Sequence, residues 1–170
     1  MRIFQPKICA NFGPAPKETG VLKWIDIPPV WLAGAAALAW VQAARYPAGL
    51  SFGGAWADFA GGLLVGAGLV LMALALMELR RHRTTPIPHL EAERLVTSGI
   101  YKRSRNPIYL GDALILTGLI LRWDAVLSLP LVPVFVWVIE RRFILPEEDR
   151  LRRKFRMNFA QYCHKTRRWV

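Results

Sequence analysis

Two short clusters hold most of the side chains in this chain that can do chemistry. The first runs Tyr101-Lys102-Arg103-Ser104-Arg105-Asn106-Pro107-Ile108-Tyr109-Leu110-Gly111-Asp112. Asn106 before Pro107 reads as a helix start, because Asn caps free backbone N–H groups and Pro is tolerated at the first helical position. A helix N-terminus beside Arg103 and Arg105 offers N–H groups and positive charge to a carboxylate or phosphate. The same residues also suit a helix start anchored among lipid headgroups. Tyr109 and Asp112 are three apart and so share one face of that helix. Asp112 is then either a cavity residue or a carboxylate reaching the wet headgroup layer.

The second cluster is Pro146-Glu147-Glu148-Asp149. A carboxylate can accept both hydroxyls of a ribose, which makes Glu147 and Glu148 candidates for holding a nucleoside. Acids directly after a proline equally suit the positive end of a helix dipole. Leu151, Phe155 and Phe159 follow at i, i+4 and i+8 among Arg150, Arg152, Arg153, Lys154 and Arg156, the pattern of an amphipathic helix lying on a membrane. Cys9 and Cys163 have no metal-ligand spacing, so they are expected to be reduced thiols, and no metal site is expected.

The elements that must position these clusters are hydrophobic. Ile27–Ala44 and Phe59–Met77 carry no charge and approach the roughly 20 residues a spanning helix needs. Ile108–Ile139 is interrupted at Arg122-Trp123-Asp124 and reads as a hairpin of two short spans, Pro107–Leu121 and Ala125–Ile139. The expected fold is therefore all-α: four transmembrane helices in two hairpins, joined by the loop Glu78–Asn106 and followed by the amphipathic C-terminal helix. The chain is expected to form one membrane-embedded domain over 1–170. Its cytoplasmic N-terminal segment, 1–26, does not resemble a signal peptide.

Charge supports that layout. The 170 residues hold 23 Lys and Arg against 12 Asp and Glu. With four spans, 21 of the basic residues fall on one side and 2, Arg45 and Arg122, on the other. The positive-inside rule then places both termini and the long loop in the cytoplasm. The surplus needs no nucleic acid to explain it, and no nucleic-acid partner is expected. Gly61, Gly62, Gly66 and Gly68 could allow close helix packing within a subunit or in a homo-oligomer.

In order along the chain, Thr85-Pro86, Leu95-Val96-Thr97-Ser98-Gly99, Arg105-Asn106-Pro107-Ile108-Tyr109-Leu110-Gly111, Pro146-Glu147-Glu148, Phe155, Tyr162 and Arg167-Arg168-Trp169 resemble the isoprenylcysteine carboxyl methyltransferase family. Its bacterial members and the related phospholipid methyltransferases look similar. The resemblance covers Thr85 to the C-terminus, the family-like half 85–170. It implies an integral-membrane methyltransferase of a bacterial inner membrane, using S-adenosylmethionine at the cytoplasmic face. Carried over by position, it makes Tyr101, Arg105, Asn106, Pro107, Tyr109, Gly111, Glu147 and Glu148 the cofactor-binding residues. Asn106 stands where many members have His, which removes a histidine base. Arg156 replaces a Gly and Phe159 a Tyr, so the C-terminal helix is expected to run without a break. A Rossmann-type site is not expected, since no Gly-rich strand-to-helix loop occurs.

A sulfonium methyl is already activated, so in-line placement of the acceptor supplies most of the acceleration. A cation beside an anionic acceptor would orient it, and Arg142, with Arg103 behind it, is the candidate catalytic residue; both also fit as membrane anchors. The substrate is expected to be lipophilic, a carboxylate, thiol or amine arriving from the membrane lipids. The alternatives are a membrane-bound NADPH-dependent reductase of the sterol-reductase type, which shares an Asn-x-x-Tyr-Leu-Gly region, and a non-enzymatic membrane scaffold.

Overall fold

The computed structural model describes residues 26–46, 49–84 and 95–169, and these are helical with no strand among them. Helix α1, Pro28–Arg45, starts on a Pro pair and stops at Tyr46, the residue before Pro47. Helix α2, Ala55–Arg81, has 27 residues and so runs about 40 Å. It is the one helix among the described residues long and apolar enough to cross a membrane. Helix α3, Pro107–Arg122, begins where the Asn-Pro pair predicts.

Helices α2 and α3 pack through four glycines. A Cβ built on Gly61 would lie 2.6 Å from the Gly118 carbonyl oxygen, and one on Gly68 would lie 2.7 Å from that of Gly111. Each pair of glycines is spaced by seven residues on its own helix, so two helical turns separate matched contacts along an antiparallel seam. Gly66 has nothing nearby and Gly62 only the Arg122 side chain. Of the four glycines flagged in the sequence, Gly61 and Gly68 therefore serve packing inside the subunit.

Three sequence expectations need correction. The second hairpin was expected to resume as helix at Ala125, but Val126–Ser128 is a 3₁₀ turn and helix α4 spans only Leu131–Ile139. Reversing the chain uses Asp124 at a φ of 53°, and α4 begins behind Pro130. Pro146 was expected to start a helix. Instead α4 continues through a π-helical turn, Glu140–Ile144, into helix α5, Leu145–Lys165, with α-helical dihedrals at each junction. The widened turn accommodates the proline ring and its missing N–H. No free helix N-terminus exists at Pro146, so a helix dipole does not explain Glu147 and Glu148.

The third correction concerns α5, which does not run without a break. Arg156 has φ 40° and ψ −109°, a conformation that suits Gly, and the helix kinks there. Asn106 does occupy the N-cap position of α3, yet its side chain makes no capping bond.

The core lies among α1, α3 and the α4–α5 rod, where Ala35, Ala39, Leu116, Ile120, Phe135 and Phe143 pack together with Trp169 against them. At one end of this bundle α1 begins, α2 ends, α3 begins and the π turn leads into α5. Both chemistry-bearing clusters meet at that end.

Candidate functional site

The Arg-Asn-Pro motif is held by the C-terminal tail. The backbone N–H of Arg105 donates to the Arg167 carbonyl (3.1 Å), and Asn106 Nδ2 donates to the Arg168 carbonyl (3.2 Å). Tyr162 Oη donates to the Tyr101 carbonyl (2.6 Å), and Thr166 Oγ1 to that of Lys102 (3.3 Å). The kink at Arg156 separates the start of α5, which carries Glu147 and Leu151, from the buried pair Phe159 and Tyr162, of which Tyr162 bonds the Tyr101 loop. A second tether comes from α2, where Glu78 accepts from Ser98 Oγ and His82 Nε2 lies 2.7 Å from the same oxygen.

A buried ion network underlies the motif. Glu148 is 6% exposed and accepts from Arg168 Nη2 at 2.7 Å and Nε at 3.2 Å, with Arg105 Nη2 at 3.3 Å. Arg168 reaches Glu140 on the π turn as well, at 2.5 Å. These carboxylates hold the Arg168 guanidinium above its ordinary pKa, the hydrogen bond to Glu148 foremost.

Beside the network lies a cavity of about 360 Å³, within the size range of small-ligand sites. Its polar lining comes from Thr84, Tyr101, Arg105, Asn106, Tyr109, Asp112, Glu147 and Tyr162, and its apolar lining includes Met72, Leu76 and Leu79 of α2 and Ile27–Pro29 at the start of α1. Tyr109 Oη donates to Glu147 Oε2 at 3.1 Å. Burial pushes the Glu147 carboxyl above its ordinary pKa, although the Tyr109 hydroxyl favours its ionised form. Burial likewise raises the Tyr101 and Tyr162 phenols, so both keep their protons at neutral pH.

Three buried side-chain polar atoms have no hydrogen-bond partner among the described residues: Thr84 Oγ1, Arg105 Nε and Asp112 Oδ2. All three residues line this cavity. Buried polar groups are ordinarily paired, and an unmade bond costs roughly 1–3 kcal/mol. The cavity is thus lined by three residues that each keep one buried polar atom unpaired among the described residues.

The structure thus brings together Tyr101, Arg105, Asn106, Pro107, Tyr109 and Glu147 of the residues singled out in the sequence. It does not bring the others to the lining. Glu148 lies behind Arg105, and Gly111 is pressed against Gly68. Arg142 is paired with Asp26 at 2.8 Å and stacks over Trp31 at 5.5 Å, which pins the start of α1. Arg103 is exposed, its backbone closing the 3₁₀ turn before the motif. Arg168 entered the sequence reading only as part of the closing Arg167-Arg168-Trp169 and was given no site role, Thr84 was not singled out, and no local spacing points to either. The partners of Arg168 lie 20 and 28 residues away, and Thr84 Oγ1 has none among the described residues.

An apolar helical bundle whose cavity gathers buried carboxylates, tyrosines and an ion-paired arginine at one end defines a membrane-type small-ligand site. A family model described as phospholipid methyltransferase matches residues 56–158, and the chain belongs to that family. The match begins in α2, ahead of Thr85, so the glycine seam falls inside it. No curated protein and no solved structure matches the chain. Membership makes the chain a membrane methyltransferase by family.

Proposed function

We propose that the chain is an S-adenosylmethionine-dependent integral-membrane methyltransferase that acts on a lipophilic acceptor at the cytoplasmic face. The observation that carries this is the cavity whose lining joins Arg105, Asn106 and Tyr109 of the first cluster to Glu147 of the second. The cofactor presents ribose hydroxyls, an amino-acid end and an adenine, and the donor set fits it. Glu147, fixed by Tyr109, is placed to accept ribose hydroxyls, and Arg105 brings a positive charge to the lining for an anionic group. The Tyr101 and Tyr162 side chains supply apolar walls with polar tips. When bound, the cofactor supplies an electrophilic methyl group on a sulfonium.

The remaining candidates take other roles. Glu148 and Arg168 are positioning residues that aim Arg105, and Arg142 positions the Ile27–Pro29 wall through Asp26. Neither Arg142 nor Arg103 is assigned contact with the acceptor.

Four spans with cytoplasmic termini, in a bacterial inner membrane, remain our reading of the topology. The distribution of basic residues supports it, as does a set of large apolar side chains facing outward. Trp40 on α1, Phe59 on α2 and Trp137 on α4 are 56%, 75% and 60% exposed. Surfaces of that kind suit lipid. The cavity lies at the end that the positive-inside rule assigns to the cytoplasm. The test is transfer of a tritiated methyl group from S-adenosylmethionine into solvent-extractable lipid by membranes containing the chain. No transfer above that of membranes lacking the chain would count against the proposal.

A further inference from the structure

We propose that the crossing of the C-terminal tail over the Tyr101 loop binds the phosphate headgroup of an anionic glycerophospholipid, and that this lipid locks the tail in place. The inference does not depend on the methyltransferase reading. Lys102 and Arg103 close the 3₁₀ turn before the motif, and Lys165 and Arg167 flank Thr166 on the tail. Thr166 Oγ1 donates to the Lys102 carbonyl at 3.3 Å, and the Arg105 N–H donates to the Arg167 carbonyl at 3.1 Å. The two basic segments therefore lie side by side, and all four residues are exposed.

The cations at this crossing fall into two layers. Arg105 and Arg168, the inner pair, are neutralised by Glu148 and Glu140. The outer four, Lys102, Arg103, Lys165 and Arg167, have no carboxylate at ion-pairing distance among the described residues. Neither 95–106 nor 157–170 contains an Asp or Glu. Like charges on two adjacent segments repel, and the contacts that hold the tail against them are hydrogen bonds to backbone carbonyls. A phosphate between the segments removes that repulsion and adds charge-assisted hydrogen bonds.

The surroundings favour a lipid over a soluble acidic partner. The crossing sits where α3 begins, the end of the bundle that the topology proposed above sets at the cytoplasmic headgroups. Met157, in the same second half of α5 as Lys165, is 71% exposed. An apolar side chain among cations suits the boundary between acyl chains and headgroups, where each Lys or Arg is attracted to anionic lipid. The consequence reaches the cavity, because the Arg167 and Arg168 carbonyls hold the Arg105 N–H and the Asn106 amide. A lipid that locks the tail also fixes the start of α3.

The experiment places the full chain in nanodiscs of phosphatidylcholine, or of an equimolar mixture with phosphatidylglycerol. Electron spin resonance of spin-labelled lipids reads their relative association, and hydrogen exchange of the Arg105 N–H reads tail docking. Phosphatidylglycerol should associate about fivefold or more above phosphatidylcholine, the weight of one such cation, and Arg105 exchange should slow by a similar factor in the mixed discs. Lys102→Gln, Arg103→Gln, Lys165→Gln and Arg167→Gln combined in one chain should lose both effects. A variant of equal charge loss away from the crossing, Arg80→Gln, Arg81→Gln, Arg152→Gln and Arg153→Gln, should keep them. Circular dichroism in phosphatidylcholine discs reports whether each variant is folded. Equal association of the two lipids with the wild type, or Arg105 exchange unchanged in the mixed discs, would overturn the inference and needs no variant. Loss of both effects in the second variant would also overturn it, in favour of general surface charge. If inorganic phosphate or a polyglutamate peptide slows Arg105 exchange in phosphatidylcholine discs as much as phosphatidylglycerol does, the site belongs to a soluble anion or an acidic protein and the lipid assignment falls.

Discussion

Replacing Glu148 by Gln should destabilise the fold more than it weakens the cofactor site. Gln keeps the shape and one acceptor oxygen but removes the charge shared by Arg105 and Arg168. Breaking a buried pair by removing one partner costs about 3–5 kcal/mol. Two features reduce that figure here: Arg168, with its side chain 31% exposed, keeps Glu140, and the amide oxygen still accepts a hydrogen bond. About 2 kcal/mol remains, and for a chain of this size each kcal/mol moves Tm by about 2–4 °C. Glu148→Gln should therefore unfold about 4–8 °C below the wild type in thermal scans followed by circular dichroism in detergent. Measured where both proteins are folded, S-adenosylhomocysteine affinity should change by no more than a few-fold. Glu147→Gln should show the reverse pattern, with Tm nearly kept and affinity lower by about tenfold or more, the weight of a hydrogen bond to a charged group. An unchanged Tm with lost affinity in Glu148→Gln would refute the assignment of Glu148 to the ion network.

Further outcomes follow from particular contacts. Arg156→Gly should raise Tm by about 2–4 °C per kcal/mol of relieved strain, with about 1–3 kcal/mol available at a residue held in this region; an unchanged or lower Tm would mean that the kink carries no strain. Gly68→Ala should cost about 1–3 kcal/mol by wedging α2 from α3, read as a lower unfolding temperature. The raised Glu147 carboxyl makes the folded state the tighter proton binder. Stability of the ligand-free protein should accordingly fall as pH rises from the ordinary value of 4.5 through the raised folded value. Cofactor affinity should rise over the same interval, and Glu147→Gln should flatten both trends. Asp124 behaves oppositely: the Ser51 hydroxyl and the Phe52 N–H hold its carboxyl below the usual range, so the hairpin tip should loosen as pH falls through that depressed value. Amide exchange at Phe52 would report it.

Much of this arrangement was legible in the residues because apolar runs and helix signals are local. The start of α3 at Pro107, the apolar stretch of α2, and the shared face of Tyr109 and Asp112 all follow from neighbours a few positions apart. The motif residues Arg105, Asn106 and Tyr109 meet Glu147 at one cavity. What the sequence hid was non-local. Arg168 organises the site through Glu140 and Glu148, which lie 28 and 20 residues away. Pro146 looks like a helix start, but whether a chain breaks or widens into a π turn there depends on the packing of Phe143 and Ile144 in the core. Arg156 has no side-chain property that announces a positive φ; the kink falls between Leu151 at the cavity and Tyr162, which bonds the Tyr101 carbonyl. Arg142 looks like a free cation until Asp26 is placed beside it.

The central claim is that the cavity beside Arg105 and Glu147 is a nucleoside-cofactor site. Calorimetric titration of the detergent-purified chain with S-adenosylhomocysteine, and in parallel with NADPH, tests it most directly. Saturable micromolar binding of S-adenosylhomocysteine alone, weakened by Glu147→Gln, is the predicted result. Binding of NADPH alone, or of neither ligand by protein shown to be folded, would contradict it.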